Sequence, residues 1–316
     1  MNRYRVVPSI LFLATLALPS FAQPAKTVQE RLGYPATARL LIIHADDLGM
    51  AHSVNRATFE ALENGWITSA SIMVPTPWFA EAARWARAHP DADLGIHLTL
   101  NSEWADYRWG PVALRGEVGS LLDGDGYFEV VEEPVVEKAR PEEVERELRA
   151  QVDKARAAGV RISHLDSHMA TLFRSEPLFE VYQRLGRSYG IPLLIERQGA
   201  RGGAESESAK AKDGALVDRV VSIQPGVPIS EWPAAYEAIL SRLPPGVYQL
   251  IVHLAYSDPE IRGATRDHPD WGAAWRQADL DLVRSDGFRR FLKDQGFVLI
   301  GWSDLSRALG TPYDRH

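Results

Sequence analysis

The alternation of short apolar runs with amphipathic segments is the feature that most constrains the fold of this chain. Runs rich in β-branched and aliphatic residues are typical of buried strands. They are "RLLIIHA", "SASIMV", "LGIHLTL", "RISHLD", "PLLIE", "DRVVSI", "VYQLIVHL" and "FVLIGW". Helical signals lie between many of them; one segment opens on Pro141 and acidic residues and repeats apolar residues at Val144, Leu148 and Val152. This alternation predicts a parallel α/β fold.

A single-domain β/α barrel variant is the architecture we expect, TIM-like with some distortion, and with the active site at the C-terminal ends of its strands. An open doubly wound sheet is the alternative. Two irregular stretches interrupt the pattern: residues 101–140 are rich in Trp, Tyr and Gly, and residues 198–214 are small and polar. We expect the second stretch to be a surface loop.

The N-terminus has the three parts of a secretory signal. Arg3 and Arg5 precede an apolar run over residues 6–18, and small residues follow at Ser20 and Ala22. This pattern predicts a signal peptide over residues 1–22, and hence export to the periplasm or beyond the cell. An uncleaved anchor is the alternative, but the run is short for a membrane span. We therefore expect no stable membrane insertion after cleavage.

The remaining chain divides into a linker over residues 23–38, which is polar and contains two prolines, and a catalytic domain over residues 39–316. A net charge of −7 argues against a nucleic-acid partner, which would need a basic face. The chain has no cysteine, so an exported protein of this sequence cannot use disulfides. Its oligomeric state is left open.

Residues suited to metal binding or proton transfer follow several of the predicted strands. Because the C-terminal ends of barrel strands share one rim, these residues should converge. They are Asp46 and Asp47 after the first strand, His97 in the third, Asp166 and His168 after "RISHL", and His253 at the end of "YQLIVHL". Each residue alone is more typical of a turn, a helix cap or a buried core histidine. Their shared position at strand ends is the reason to predict a functional site.

A carboxylate with two imidazoles would leave an open coordination position for water. Asp47, His97 and His168 could form that metal site, and Asp46 would then be free to act as general base. His253 could protonate a leaving group, while His164 and Asp166 could orient a ligand from behind. The donor set suits Zn²⁺, with Mn²⁺, Co²⁺ or Ni²⁺ as further candidates, whereas Mg²⁺ would prefer more oxygen ligands.

The stretches "LIIHADDLGMAHSVNRATFEALENGWITSASIMV", "LGIHLTL", "ISHLDSH" and the closing "FVLIGWSDL" resemble the YdjC-like carbohydrate deacetylases, which include chitooligosaccharide deacetylase. The resemblance covers nearly all of the chain after Arg39. It implies a β/α barrel variant and metal-dependent hydrolysis of an N-acetyl group from an amino sugar, and it leaves Mg²⁺ open as the metal. It also implies that Asp46 matches the base, Asp47, His97 and His168 match the metal ligands, and His253 matches the C-terminal histidine.

The chain departs from the family pattern in three places. Leu254 and Ala255 follow His253 where Pro-Gly is usual, Ala170 stands where a further His is common, and His44 replaces the usual Asn. These departures bear on substrate and on the acid role of His253. Two other functions stay open: a metal-dependent hydrolase of another amide or ester, and a noncatalytic exported carbohydrate-binding protein.

The aromatic stretch "EWADYRWGP" is a candidate for substrate contact. Trp104, Tyr107 and Trp109 could stack on sugar rings, and Arg108 could meet an acidic group. The alternative is that these side chains pack their loop onto the barrel. The sugar and its chain length are left open.

Overall fold

The computed structural model describes residues 26–197 and 217–309. The predicted signal peptide at 1–22 and the predicted surface loop at 198–214 lie outside these ranges. The strands are β1 Arg39–Leu48, β2 Ser69–Ile72, β3 Leu94–Leu98, β4 Leu165–Ser167, β5 Arg219–Val221, β6 Gly246–His253 and β7 Phe297–Leu299. They pair in parallel in the order β4-β3-β2-β1-β6-β5, and β7 pairs with the first residues of β1.

Two isolated parallel bridges link the ends of this sheet. Leu193 pairs with Leu165 of β4, and Glu196 pairs with Val217, just before β5. The predicted strand "PLLIE" is therefore present only as single bridges. The sheet curls into the predicted TIM-like barrel variant, and the distortion lies where these bridges replace a regular strand.

Helices surround the sheet. They are α1 Val28–Arg31, α2 His52–Glu63, α3 Phe79–Ala88, α4 Glu132–Lys138, α5 Pro141–Ala157, α6 Glu176–Tyr189, α7 Trp232–Ser241, α8 Pro259–Ala264, α9 Ala273–Val283, α10 Asp286–Asp294 and α11 Trp302–Leu309. The predicted apolar face of α5 is buried at Val144, Leu148 and Val152. Within the described ranges, no helix combines the length and the apolar character that crossing a membrane would require.

The described part of the predicted linker at 23–38 is folded. Thr27 and Glu30 form a reciprocal capping box at the start of α1. Val28, Leu32 and Tyr34 pack against an apolar cluster that contains Trp302. A short capped helix with an apolar side thus attaches this segment to the domain, which its proline content alone did not predict.

The face of β1 that points into the barrel changes from apolar to polar along the strand. Leu40 and Ile42 belong to a small apolar cluster with Val247 and Trp302, while Leu41 and Ile43 belong to the main core. Alternation then puts His44 and Asp46 on the same face as Leu40 and Ile42. The interior therefore ends, at the C-terminal side of the strands, in buried polar groups.

Candidate active site and metal centre

Asp46 and Asp47 both reach the site although they are neighbours on β1. Alternation points Asp46 into the barrel and would send Asp47 outward. Asp47 instead has a left-handed φ of 67°, and the pairing of β1 with β2 shifts register between Ala45 and Leu48. Aspartate adopts this conformation more readily than most residues. The irregularity lets the second carboxylate face the same barrel end as the first.

Asp47, His97 and His168 converge as the sequence predicts, and we call these three residues the rim centre. Asp47 Oδ1 lies 3.5 Å from His97 Nε2 and 3.4 Å from His168 Nδ1. The three donor atoms lie within 4.8 Å of one another, and all three residues are buried. Among the described residues, Asp47 Oδ1 has no hydrogen-bond partner. A carboxylate oxygen and two imidazole nitrogens around an unsatisfied buried atom fit a divalent ion such as Zn²⁺.

Each imidazole of the rim centre has a carboxylate on its other ring nitrogen. His97 Nδ1 lies 2.8 Å from Asp166 Oδ1, and His168 Nε2 lies 3.0 Å from Glu103 Oε2. Such contacts fix the ring orientation of a histidine ligand and increase its basicity. Asp166 thus stands in the position expected of it. Glu103 was missed, since nothing in its local sequence distinguishes it from other loop acids.

Asp46 lies beside the rim centre with one oxygen facing it. Its Oδ2 is 3.8 Å from His97 Nε2 and 3.9 Å from His253 Nε2, and Asp46 is paired with His253 in the register of β1 and β6. Burial raises the pKa of Asp46 to about 7, with the Asp166 and Asp47 carboxylates adding to the shift and His97 opposing it. A carboxylate with a pKa near neutrality suits general-base work at pH 7.

Asp47 carries the opposite shift although the two carboxylates are adjacent. Burial alone would raise its pKa, but the Arg276 guanidinium and the nearby His168 imidazole hold it well below its usual range. Arg276 Nη2 lies 2.6 Å from Asp47 Oδ2, and both side chains are buried. Asp47 is therefore ionised, and with Oδ2 bound to Arg276 only Oδ1 faces the rim centre.

Helix α9 supplies two polar side chains to the site, Arg276 and Asp279. Arg276 donates from Nε to the Trp271 carbonyl oxygen at 2.6 Å, and Asp279 accepts a bond from the His253 backbone N–H at 2.8 Å and from the Tyr236 hydroxyl at 2.7 Å. Sequence reasoning missed both residues. Arg276 is 229 positions from Asp47, and in the sequence it is an ordinary charged residue of an amphipathic helix.

His253 lies at the end of β6, as the sequence predicts, but it is not protonated as a general acid would be before the reaction. Burial lowers its pKa to about 3, against the opposing influence of Asp47. Its imidazole is therefore neutral at pH 7. It can donate a proton to a leaving group only after receiving one, and Asp46 Oδ2 is the nearby carboxylate oxygen.

The remaining predicted site residues are His164, Trp104, Arg108 and Trp109. His164 is buried and its Nε2 lies 3.7 Å from Asp166 Oδ2, so it sits behind the rim centre. Trp104 and Trp109 are buried, and Arg108 pairs with Asp123 at 2.9 Å. These contacts match the loop-packing alternative, and substrate contact by the three residues stays a prediction.

The backbone after His168 is also unusual. Met169 and Ala170 have left-handed φ values of 52° and 56°, and they sit inside the 3-10 helix His168–Phe173. Ala170 is exposed. Left-handed non-glycine residues store conformational strain and cluster at functional sites. The strained pair turns the chain directly after a rim-centre histidine.

Comparisons with known proteins agree on one family. A family model described as YdjC-like protein matches residues 40–294. A carbohydrate deacetylase of Thermus thermophilus is 36% identical over 285 residues, covering 89% of this chain and 98% of the relative. A carbohydrate deacetylase of Brevibacillus brevis is 29% identical over 269 residues, covering 84% of this chain and 99% of the relative.

A solved structure shares the fold. The crystal structure of an Enterococcus faecalis protein named for cellobiose-phosphate cleavage superposes with a TM-score of 0.72 at 24% identity. It covers 85% of this chain and 99% of that protein. At this identity the match shows a common architecture, in agreement with the distorted barrel described above.

Proposed function

The chain belongs to the YdjC-like protein family, and from this membership we propose that it is a metal-dependent carbohydrate N-deacetylase. The observation that carries the proposal is the rim centre of Asp47, His97 and His168 with the Asp46 carboxylate beside it. The two relatives named carbohydrate deacetylase support it, since each aligns over more than four-fifths of this chain.

Asp47, His97 and His168 are the residues that would hold the ion. Two nitrogens and one oxygen suit Zn²⁺, and Mg²⁺, Mn²⁺, Co²⁺ and Ni²⁺ are the other candidates. A divalent ion bound there would polarise an acetyl carbonyl and make a water molecule easier to deprotonate. Glu103 and Asp166 hold the two imidazoles with their donor nitrogens facing inward.

The protein's own groups would then divide the proton transfers between them. Asp46 Oδ2 takes the proton from the attacking water, because its raised pKa makes it an effective base near neutrality. His253 is neutral and lies 3.9 Å from that oxygen, so it can relay the proton to the departing amine. The products are acetate and a free amino sugar.

An assay of acetate release tests this function and separates it from its alternatives. The protein would be stripped with a chelator, dialysed, and assayed on a panel of N-acetylated mono- and oligosaccharides with single metals added back. We expect acetate release that depends on added metal. Hydrolysis of simple esters or non-sugar amides alone would favour a different hydrolase, and sugar binding without acetate release would favour a binding protein.

Export is a separate proposal that rests on residues 1–22. The basic start, the apolar run and the small residues before Gln23 support it. Mass spectrometry of the protein from its native host should find a mature N-terminus near Gln23. Soluble cytoplasmic protein that retains Met1 would contradict it.

A further inference from the structure

A second group of metal-binding side chains lies in the barrel interior, behind the rim centre. His44, His164 and Asp166 are buried, and their donor atoms lie within 4.8 Å of one another. We call these three residues the interior cluster. His44 Nε2 is 3.1 Å from Asp166 Oδ2, and His164 Nε2 is 3.7 Å from the same oxygen. Donors that bind one tetrahedral Zn²⁺ at about 2.0–2.1 Å stand about 3.3 Å apart, close to these separations.

Hydrogen bonds account for only part of the polar atoms of this region, since His44 Nε2 lies within hydrogen-bond distance of Asp166 Oδ2 and of the Ser71 hydroxyl. His164 Nε2 and Asp46 Oδ1 are both buried, and neither has a hydrogen-bond partner in the part of the chain that the structure describes. Asp46 Oδ1 lies 3.3 Å from His44 Nε2, and the Ser71 hydroxyl oxygen lies 3.1 Å from the same nitrogen. An unsatisfied buried polar atom is costly, and here two of them adjoin the same histidine.

The negative charges of two carboxylates near His44 also favour a bound cation. Asp46 and Asp166 both direct a carboxylate oxygen toward His44 Nε2, and within residues 26–197 and 217–309 their ion-pair partners are histidines. Arg276 is bound to Asp47 instead. Two buried carboxylates that share a point are stabilised by a metal ion between them.

Packing fixes the two imidazoles as rigid donors. The His164 ring stacks on Trp302 with centroids 4.7 Å apart, and a Cβ at Gly95 would fall 2.4 Å from the His164 ring. The ring thus lies flat between an indole and a strand glycine. The His44 ring meets it edge-on at 5.0 Å. The His164 ring is held by this packing, and the His44 ring is oriented by the contacts of its Nε2 with Asp166 and Ser71.

We propose that the interior cluster of His44, His164 and Asp166 is a second metal site, which takes a borderline ion such as Zn²⁺, with Asp46 Oδ1 or the Ser71 hydroxyl as the fourth donor. Two imidazoles and a carboxylate favour Zn²⁺, Co²⁺ or Ni²⁺ over Mg²⁺. Asp166 also accepts from His97 through its other oxygen. It therefore joins the interior site to the rim centre, and the metal content of the interior site can be measured without the activity proposed above.

Metal counting tests the proposal without any assay of activity. The full-length protein would be stripped, saturated with Zn²⁺, gel-filtered and analysed by mass spectrometry of zinc and sulfur. We expect about two zinc equivalents for the wild type and about one for H44N and for H168A, since each variant removes a donor from a different site. A wild-type value of about one that falls to zero in H168A and stays unchanged in H44N would overturn the proposal.

Diffraction on crystals of the wild-type protein tests the same proposal without variants that could fail to fold. Crystals soaked in Zn²⁺ and measured at the zinc edge should show an anomalous peak within about 2.0–2.1 Å of His44 Nε2 and His164 Nε2. A second peak at the rim centre serves as the internal control. A peak at the rim centre alone, with an ordered water among the interior donors, would show that the interior cluster binds water rather than metal.

Discussion

The end of β1 and the start of α9 meet at Asp47, and they contribute different things to the candidate site. β1 supplies the carboxylates of Asp46 and Asp47 that would act on an ion or a proton. α9 supplies Arg276, which pairs with Asp47, and Asp279, which accepts from the backbone N–H of His253. Substitutions in β1 should therefore abolish metal binding or proton transfer. Substitutions in α9 should instead disturb the positions of the site residues and lower the free energy of unfolding.

The largest effect is expected from separating the two β1 carboxylates. Asp46→Asn should keep the metal and lose about 10²–10⁴-fold in the rate of acetate release, because the proton acceptor is gone. Asp47→Asn should weaken metal binding, because Oδ1 is a rim-centre donor, and added metal should restore part of the rate. Metal content measured beside acetate release distinguishes the two variants.

The opposite pattern would reverse the assignment. If Asp46→Asn lost the metal while Asp47→Asn kept it, Asp46 would be the ligand and Asp47 the base. If neither variant changed the rate, the pair would be structural. His253→Ala serves as a companion variant, since it should keep the metal while reducing the rate.

A buried ion pair makes Arg276 the next most sensitive position. Arg276→Met leaves Asp47 charged and buried without its partner, which costs about 3–5 kcal/mol of unfolding free energy. A divalent ion at Asp47 should recover part of that loss. Urea unfolding of the variant, with and without added metal, measures both quantities.

Arg276→Lys is the matched control, because it keeps a positive charge but loses the fork that reaches both Asp47 and the Trp271 carbonyl. Its loss of stability should be smaller than that of Arg276→Met. Equal stability of Arg276→Met and wild type in metal-free buffer would mean that the pair does not hold Asp47.

The same contrast explains what the sequence could and could not predict. The period of apolar residues identified the strands, and the barrel rule then brought Asp46, Asp47, His97, His168 and His253 to one rim. That rule says nothing about helices that reach over the rim, so Arg276 and Asp279 were missed. The aromatic loop was ambiguous because a tryptophan that packs a loop and one that faces a sugar look alike in sequence.

Local conformation was also beyond sequence reasoning. The alternation of side chains along a regular strand would place Asp47 on the outer face. Its left-handed φ of 67° and the shifted pairing of β1 with β2 turn it toward the site instead. The predicted roles of the two adjacent carboxylates need that irregularity. It has no signature in the sequence apart from the Gly49 that follows shortly after.

Glu103 tests whether positioning groups outside α9 behave like those within it. Glu103→Gln keeps the shape of the side chain but weakens the contact with His168 Nε2. Metal affinity should fall about 10–100-fold, the usual cost of losing an outer partner of a ligand histidine. Calorimetric titration of Zn²⁺ measures the loss, with Glu129→Gln as a control at a carboxylate that pairs with Lys138. Unchanged affinity would show that His168 is held by its rim-centre contacts alone.

The smallest effect is expected at Tyr236, whose hydroxyl donates to Asp279. Burial raises the pKa of Asp279 to about 7, with the His253 N–H and the Tyr236 hydroxyl opposing the shift. Tyr236→Phe removes a donor that favours the ionised form, so the pKa should rise further. The substitution should therefore lower the free energy of unfolding by about 1 kcal/mol at pH 5, where Asp279 is protonated, and by about 2 kcal/mol at pH 8, where it is charged.

Tyr248→Phe is the control, because the Tyr248 hydroxyl donates to the Pro244 carbonyl oxygen. A neutral acceptor should give a cost independent of pH. Chemical unfolding of both variants at the two pH values measures the difference. A cost for Tyr236→Phe that stays constant with pH would mean that Asp279 keeps one protonation state over this range, and that the hold of α9 on the end of β6 does not change with pH.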